Sequence, residues 1–419
     1  MRSERLQTKR HLPATVDCRH DCRHNTTRDV TMKHDESLPM RPMTYVAIDT
    51  RALARNLRLV RTRLAERVRL MAVVKANAYG HGLKLAAHAF AEAGADWLGV
   101  STLDEGIRLR QHGLQLPVLV FLPALDREVE PLVEHRLTGT VVACDQVPVY
   151  AEAARKLGHE AGVHVYTDAG LGRLGSDDSL PDLLTAAASY PRVTVTGVYT
   201  HFGPGGSGTM LEGLDALRPG ASARAFGALA QNAVAGAGLG RVSVHCAASE
   251  LLLSMPETHF DMVRAGTLLY GQLPPGAADD APALQKTFEL RSHIVAIHSL
   301  PKGSPVGYGG EFVTGRDSRI ATVPVGLAHG LGVTPESLGR SLRQIAGSYL
   351  RRRRARRGIS DRGPWGYVRG QQVPVVGRIS MDQCCLDVTA TDAQVGDEVA
   401  LDTRRVTTSA AIPRIAVEL

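Results

Sequence analysis

The sequence predicts an α/β protein, a (β/α)8 TIM-like barrel followed by a mostly β C-terminal domain. Two observations predict the barrel. Short apolar runs alternate with helical patterns from Tyr45 to Cys246, and alternation at this spacing builds a parallel sheet. The run Leu70 to Val74 is apolar without a break and too short for a helix, so it reads as a strand buried on both faces. A third observation predicts the second domain. After residue 285 helical patterns give way to short runs separated by Gly, Pro and Asp.

Residues 1–43 are polar, charged and aperiodic, and are expected to form a disordered leader. Cys18, His20, Cys22 and His24 make a short Cys/His tract there. No second Cys pair follows, so no metal site is expected. Met40 and Met43 offer later starts just before the first patterned segment. Tyr45 to Ile48 reads as a strand, and Thr50 as the cap of a helix with apolar residues at Leu53, Leu57, Val60 and Leu64. Further strands are expected at 70–74, 97–100, 117–121, 139–143, 162–166, 193–199 and 242–246, with helices such as 84–94, 147–158 and 222–238 between them. That is about eight strands in about 240 residues, the count of a closed barrel, and residues 44–285 are assigned to it. Runs at 292–299, 319–325, 373–376, 384–388 and 398–401 fall in the expected β domain, 286–419.

An insertion at 334–358 interrupts that second domain. Thr334 and Pro335 suit the N-cap and first position of a helix, and Glu336 its first turn. Leu338, Leu342, Ile345 and Tyr349 form one apolar stripe, and six arginines between Arg351 and Arg357 sit at the C-terminal end before Gly358. The helix is read as a solvated one packed on the β domain, the alternative being an anionic partner.

Composition narrows the function. The chain has 419 residues, 44% hydrophobic and 22% charged, which is ordinary for a globular protein. Its formal charge is +7, but much of the excess is local, so neither nucleic acid nor membrane is an expected partner. No apolar run approaches the roughly 20 residues that cross a bilayer, and the N-terminal region lacks the apolar core of a signal peptide. Six cysteines do not suggest a disulfide scaffold, and the cytoplasm is the expected compartment.

The chemistry centres on Met71-Ala72-Val73-Val74-Lys75-Ala76-Asn77-Ala78-Tyr79-Gly80-His81-Gly82. Lys75 follows an apolar strand, at the end where barrels carry their ligands. Partial desolvation would lower its pKa and leave a nucleophilic amine, and the alternative is a lysine that snorkels to solvent. Asn77, Tyr79, His81 and three small residues crowd the next turn, where a bulky cofactor could be held. Other candidates sit at loop starts. Arg173 lies in Tyr166-Thr167-Asp168-Ala169-Gly170-Leu171-Gly172-Arg173-Leu174-Gly175 and can offer a planar fork to a carboxylate. His201 ends Gly197-Val198-Tyr199-Thr200-His201-Phe202, and Ser249 ends His245-Cys246-Ala247-Ala248-Ser249. Arg264, Gly266 and Thr267 fall in Asp261 to Gly271, Tyr308 in Pro305 to Gly310, and Met381 and Asp382 in Val376 to Gln383. Alone, a lysine, histidine or tyrosine at such a place is as readily structural.

The twelve residues around Lys75 resemble the motif of the alanine racemase family, enzymes that use pyridoxal 5'-phosphate. The resemblance runs from about residue 44 to 400 outside the insertion. It implies Lys75 as the cofactor lysine and one catalytic group, and Tyr308 as the second. It implies Tyr79, His201, Ser249, Arg264, Gly266 and Thr267 at the cofactor, with Arg264 at the pyridine nitrogen and the Gly266 and Thr267 amides at the phosphate. Arg173, Met381 and Asp382 would meet the substrate. In the family the Tyr308 and Met381 motifs act on the neighbouring subunit's cofactor, which implies a homodimer with shared sites. The implied function is interconversion of L- and D-alanine. The alternatives are a racemase for another or larger amino acid, a cofactor-binding homologue with little turnover, or a decarboxylase on the same barrel, whose E-P-G-R and G-G-G-F motifs are missing here. Four departures stand out. Tyr166 stands where the family usually has a lysine, Ala248 replaces the asparagine of H-x-A-N-S, Gly326-Leu327-Ala328-His329-Gly330 replaces G-Y-A-D-G, and no phosphate-binding tyrosine lies between Asp402 and Leu419.

Overall fold

A computed structural model of the chain describes residues 41–202, 219–275, 277, 281–333 and 364–419. The Cys18–His24 tract, nearly all of the expected leader and the expected helix at 334–358 lie outside the described residues.

Eight parallel strands form the barrel: Arg69–Val73, Trp97–Val100, Val118–Val120, Gly139–Val141, Ala161–Tyr166, Val193–Tyr199, Ser243–His245 and Met262–Ala265. They fall into two four-stranded halves. Bridges at Leu119 with Thr138 and at Ala248 with Arg264 join the halves, and pairing of Arg69–Val73 with Met262–Ala265 completes the ring. Inward-facing Met71, Leu119, Tyr166, Tyr199 and Met262 pack with Trp97 into one interior cluster. Outward residues such as Leu70, Ala72 and Val263 pack with helical residues such as Leu53, Ala86 and Phe90 in the larger core. Burial on both faces is why Leu70 to Val74 carries no polar alternation.

The predicted fold class is the one observed, with one exchange of strands. The eighth barrel strand is Met262–Ala265, whereas Tyr45–Asp49 belongs to the nine-stranded sheet of the C-terminal region. There it pairs antiparallel with Phe288–His293 and parallel with Arg414–Val417. All five of its residues are buried, so its sequence reads alike in either sheet. The cap of the following helix, Thr50–Arg61, is Asp49 rather than Thr50: Asp49 Oδ1 accepts from the Ala52 amide at 2.7 Å. Its other oxygen accepts from the Leu419 amide at 3.0 Å, a second task that favours the carboxylate. The helix stops at Arg61, so Leu64 lies past its end. The run 292–299 divides between Phe288–His293 and Ala296–Leu300, which lie in different parts of the sheet. The remaining strands of that sheet are Ser318–Val323, Trp365–Val368, Gln371–Val376, Cys384–Asp387 and Glu398–Leu401.

Candidate active site

Lys75 leaves the barrel one residue after Val74 and is half-buried. The four residues that follow are all left-handed, with φ of 53° at Ala76, Asn77 and Ala78 and 52° at Tyr79. Such a conformation costs an L-residue roughly 1–2 kcal/mol, so a run of four needs support from its surroundings. Asn77 supplies much of it. Its amide donates to Glu105 Oε1 at 3.3 Å, its side-chain oxygen accepts from the Leu83 amide at 2.8 Å, and its carbonyl accepts from the amides of Gly80 and Gly82. The turn ends at Gly80, φ +88°, where an added Cβ would lie 2.3 Å from the Arg405 carbonyl oxygen. His81 is not part of the pocket. It is fully buried, bonded through Nε2 to the Thr287 hydroxyl at 2.9 Å, and so pins the turn to the chain entering the second sheet.

Burial lowers the Lys75 pKa, Arg173 and Arg264 lower it further, and Glu105 opposes them. The amine therefore reaches its neutral form below the ordinary pH of a lysine. Arg173 is exposed and makes no hydrogen bond among the described residues. Tyr166, in place of the family's usual lysine, does not bond it. The Tyr166 hydroxyl donates instead to Asp168 at 3.3 Å.

Arg264 is the most enclosed charge of the site, at 4% exposure. Its Nη1 donates to His245 Nδ1 at 2.7 Å and to the His245 carbonyl, and its Nη2 to the carbonyls of Thr200 at 2.8 Å and Cys246 at 3.1 Å, with His201 Nδ1 at 3.3 Å. Nε–H is left without a partner among the described residues. A guanidinium can only donate, so His245 Nδ1 must accept and its Nε2 must carry the proton. That Nε2 meets His164 Nδ1 at 3.0 Å, which leaves His164 protonated on Nε2, a buried atom with no partner. Burial, with Arg264 second, holds the pKa of His164 and of His201 down at about 3, so both are neutral. Neither His164 nor the tautomer chain was expected from sequence. The available signal was a histidine at an inward position of an apolar strand.

Gly266, Ser249 and Tyr79 meet on the other side of the turn. The Gly266 amide donates to Ser249 Oγ at 3.3 Å, while the Thr267 amide has no partner among the described residues. A Cβ on Gly266 would lie 2.6 Å from the Tyr79 hydroxyl, so only glycine admits that hydroxyl. The Tyr79 ring lies 4.8 Å from that of Tyr270, whose hydroxyl donates to the Val73 carbonyl at 2.9 Å.

Tyr308, Met381 and Asp382 form a separate group. A Cβ on Gly307 would sit 3.5 Å from the Arg378 amide, and the Ala328 amide donates to the Met381 carbonyl at 2.8 Å, so the three loops of the second domain pack together. No hydrogen bond or ion pair joins them to the Lys75 group among the described residues. Tyr308 is 71% exposed and Met381 69%, high for large apolar side chains.

Two family models match the chain, "Alanine racemase, N-terminal domain" over residues 48–274 and "Alanine racemase, C-terminal domain" over 287–416. An alanine racemase of Desulfosudis oleivorans is 34% identical over 369 residues, covering 85% of this chain and 86% of its own. The solved alanine racemase of D-cycloserine-producing Streptomyces lavendulae superposes with a TM-score of 0.73 at 30% identity, over 91% of this chain and 98% of its own. That of Clostridium difficile 630 gives a TM-score of 0.73 at 27% identity, over 90% and 89%.

Proposed function

This chain belongs to the alanine racemase family of isomerases, and we propose that it interconverts L- and D-alanine with pyridoxal 5'-phosphate held at Lys75. The observation that carries the reading is Lys75, half-buried where the strand Arg69–Val73 gives way to a left-handed turn, with its pKa lowered by burial and by the charges of Arg173 and Arg264. The residues present fit a phosphorylated pyridine. The Thr267 amide, without a partner among the described residues, and the Ser249 hydroxyl suit a phosphate, the missing Cβ at Gly266 admits the Tyr79 hydroxyl beside them, and Arg264 Nε–H suits a ring nitrogen. When bound, the cofactor withdraws electrons from the substrate and acidifies its Cα–H.

The chain's own groups do the rest. Lys75 Nζ, whose charged form is disfavoured by burial, takes or returns the Cα proton on one face of the substrate. The Tyr308 hydroxyl of a second subunit does so on the other, which suits its exposure in the single chain. The Arg264 guanidinium keeps its proton and so leaves the pyridine nitrogen unprotonated, which restrains electron withdrawal and favours simple proton exchange over side reactions. Arg173 offers its fork to the substrate carboxylate, and the Met381 and Asp382 loop of the second subunit closes that end. Leu327, 46% exposed where the family has an entrance tyrosine, favours a racemase for a larger amino acid as the second reading.

Chiral chromatography of L-alanine incubated with the purified chain and cofactor tests the activity. We expect D-alanine to appear, and Lys75→Ala to abolish both its formation and the lysine-bound cofactor absorbance. Racemisation by Lys75→Ala with added cofactor would overturn the role of Lys75. A faster exchange of larger amino acids than of alanine would select the second reading.

A further inference from the structure

The C-terminal segment brings a cation to the side of Tyr79. The Arg405 guanidinium carbon lies 5.8 Å from the centre of the Tyr79 ring and 5.7 Å from that of Tyr270. Nη1 donates to the Tyr270 carbonyl at 3.1 Å and Nη2 to the Gln272 side-chain oxygen. No carboxylate pairs with Arg405 among the described residues. A charge drawn out of water with only neutral partners is unfavourable until an anion comes near it.

Its placement is rigid. The Arg405 carbonyl occupies the space of the absent Gly80 Cβ, and Arg414 Nε donates to the Gly80 carbonyl at 2.9 Å. The residue is thus seated on the turn that carries Lys75 and Tyr79. From there the contacts run through the Tyr79 ring to its hydroxyl, then to Gly266 and the open Thr267 amide. Among the described residues no acidic side chain bonds to Arg405, Tyr79, Gly266 or Thr267, and Glu105 is engaged at the Asn77 amide of the turn. This is also the segment in which the family's phosphate-binding tyrosine is missing.

We propose that Arg405 is a positioning residue for the phosphate end of the cofactor site. It fixes the Tyr79 ring by stacking, and its unpaired charge favours a phosphate dianion at the Tyr79 hydroxyl and Thr267 amide. The proposal rests on the cofactor reading above.

The test titrates the full-length, cofactor-stripped chain with pyridoxal 5'-phosphate and with pyridoxal, which lacks the phosphate, following the lysine-bound absorbance. Arg405→Gln should weaken binding of the phosphorylated compound on the order of tenfold while leaving pyridoxal unchanged. Arg405→Lys should keep most of the preference. If Arg405→Gln does not fold, Arg405→Met, which retains the apolar stem, carries the same comparison. Equal weakening of both compounds would reduce Arg405 to a packing role and overturn the proposal, as would no weakening of either. A wild-type chain that binds neither compound would overturn the cofactor reading itself, and this proposal with it.

Discussion

Lys75 and Arg264 are two cations in one pocket with opposite fates. Burial lowers both pKa values, yet a guanidinium stays charged at any physiological pH while an amine can lose its proton. Arg173, the second cause of the Lys75 shift, allows a test with a definite sign. A nearby positive charge disfavours the ammonium, so Arg173→Gln should raise the Lys75 pKa. The pH at which half the Lys75 amine reacts should then move upward, measured by labelling the cofactor-free chain across a pH series. An unchanged midpoint would show that Arg173 does not act on Lys75. Arg173 is exposed, so the shift should shrink as salt is added. At this scale the sequence was legible where the chemistry is contiguous: Lys75, Tyr79 and their turn lie in one string. It was silent where chemistry depends on enclosure. His164 is one polar letter in an apolar strand, and its tautomer follows only from Arg264, a hundred residues on in the chain.

The left-handed turn shows how an element is held by its neighbours. Local preference opposes Ala76 to Tyr79, and contacts from Glu105, Arg405 and Arg414 override it. Gly80→Ala should therefore be costly twice, through its positive φ and through the collision with the Arg405 carbonyl. We expect a loss of about 2–4 kcal/mol in chemical denaturation. A loss below about 1 kcal/mol would mean that the tail gives way to the new methyl. Seven of the eight barrel strands, and helices such as those read at 84–94, 147–158 and 222–238, were legible because short apolar runs alternate with segments of helical period. Strand membership was less so. A strand buried on both faces, such as Tyr45–Asp49, does not reveal which sheet buries it. Arg405 was invisible for a related reason, since its partners lie more than a hundred residues earlier.

Across the whole molecule, no hydrogen bond or ion pair among the described residues directly joins the Lys75 group to the Tyr308 group within one chain. If a second subunit supplies Tyr308, mixing Lys75→Ala chains with Tyr308→Phe chains should restore activity. Random assortment makes about half the dimers mixed, and each of those has one intact site. Recovery should reach about a quarter of wild type, against parents reduced by a factor of order 10²–10⁴. With subunit exchange verified by mass spectrometry, absence of recovery would place both groups in the same chain's site.

The parallel ladder between Tyr45–Asp49 and Arg414–Val417 also has a consequence for biosynthesis. Tyr45–Asp49 emerges from the ribosome among the first of these strands and Arg414–Val417 as the last. At about 5–20 residues per second, tens of seconds separate them. All eight barrel strands are made in that interval, and until it ends one edge of Tyr45–Asp49 has no partner. The nascent chain thus carries an open strand edge through most of its synthesis, a feature that makes its yield sensitive to translation rate and to chaperone supply.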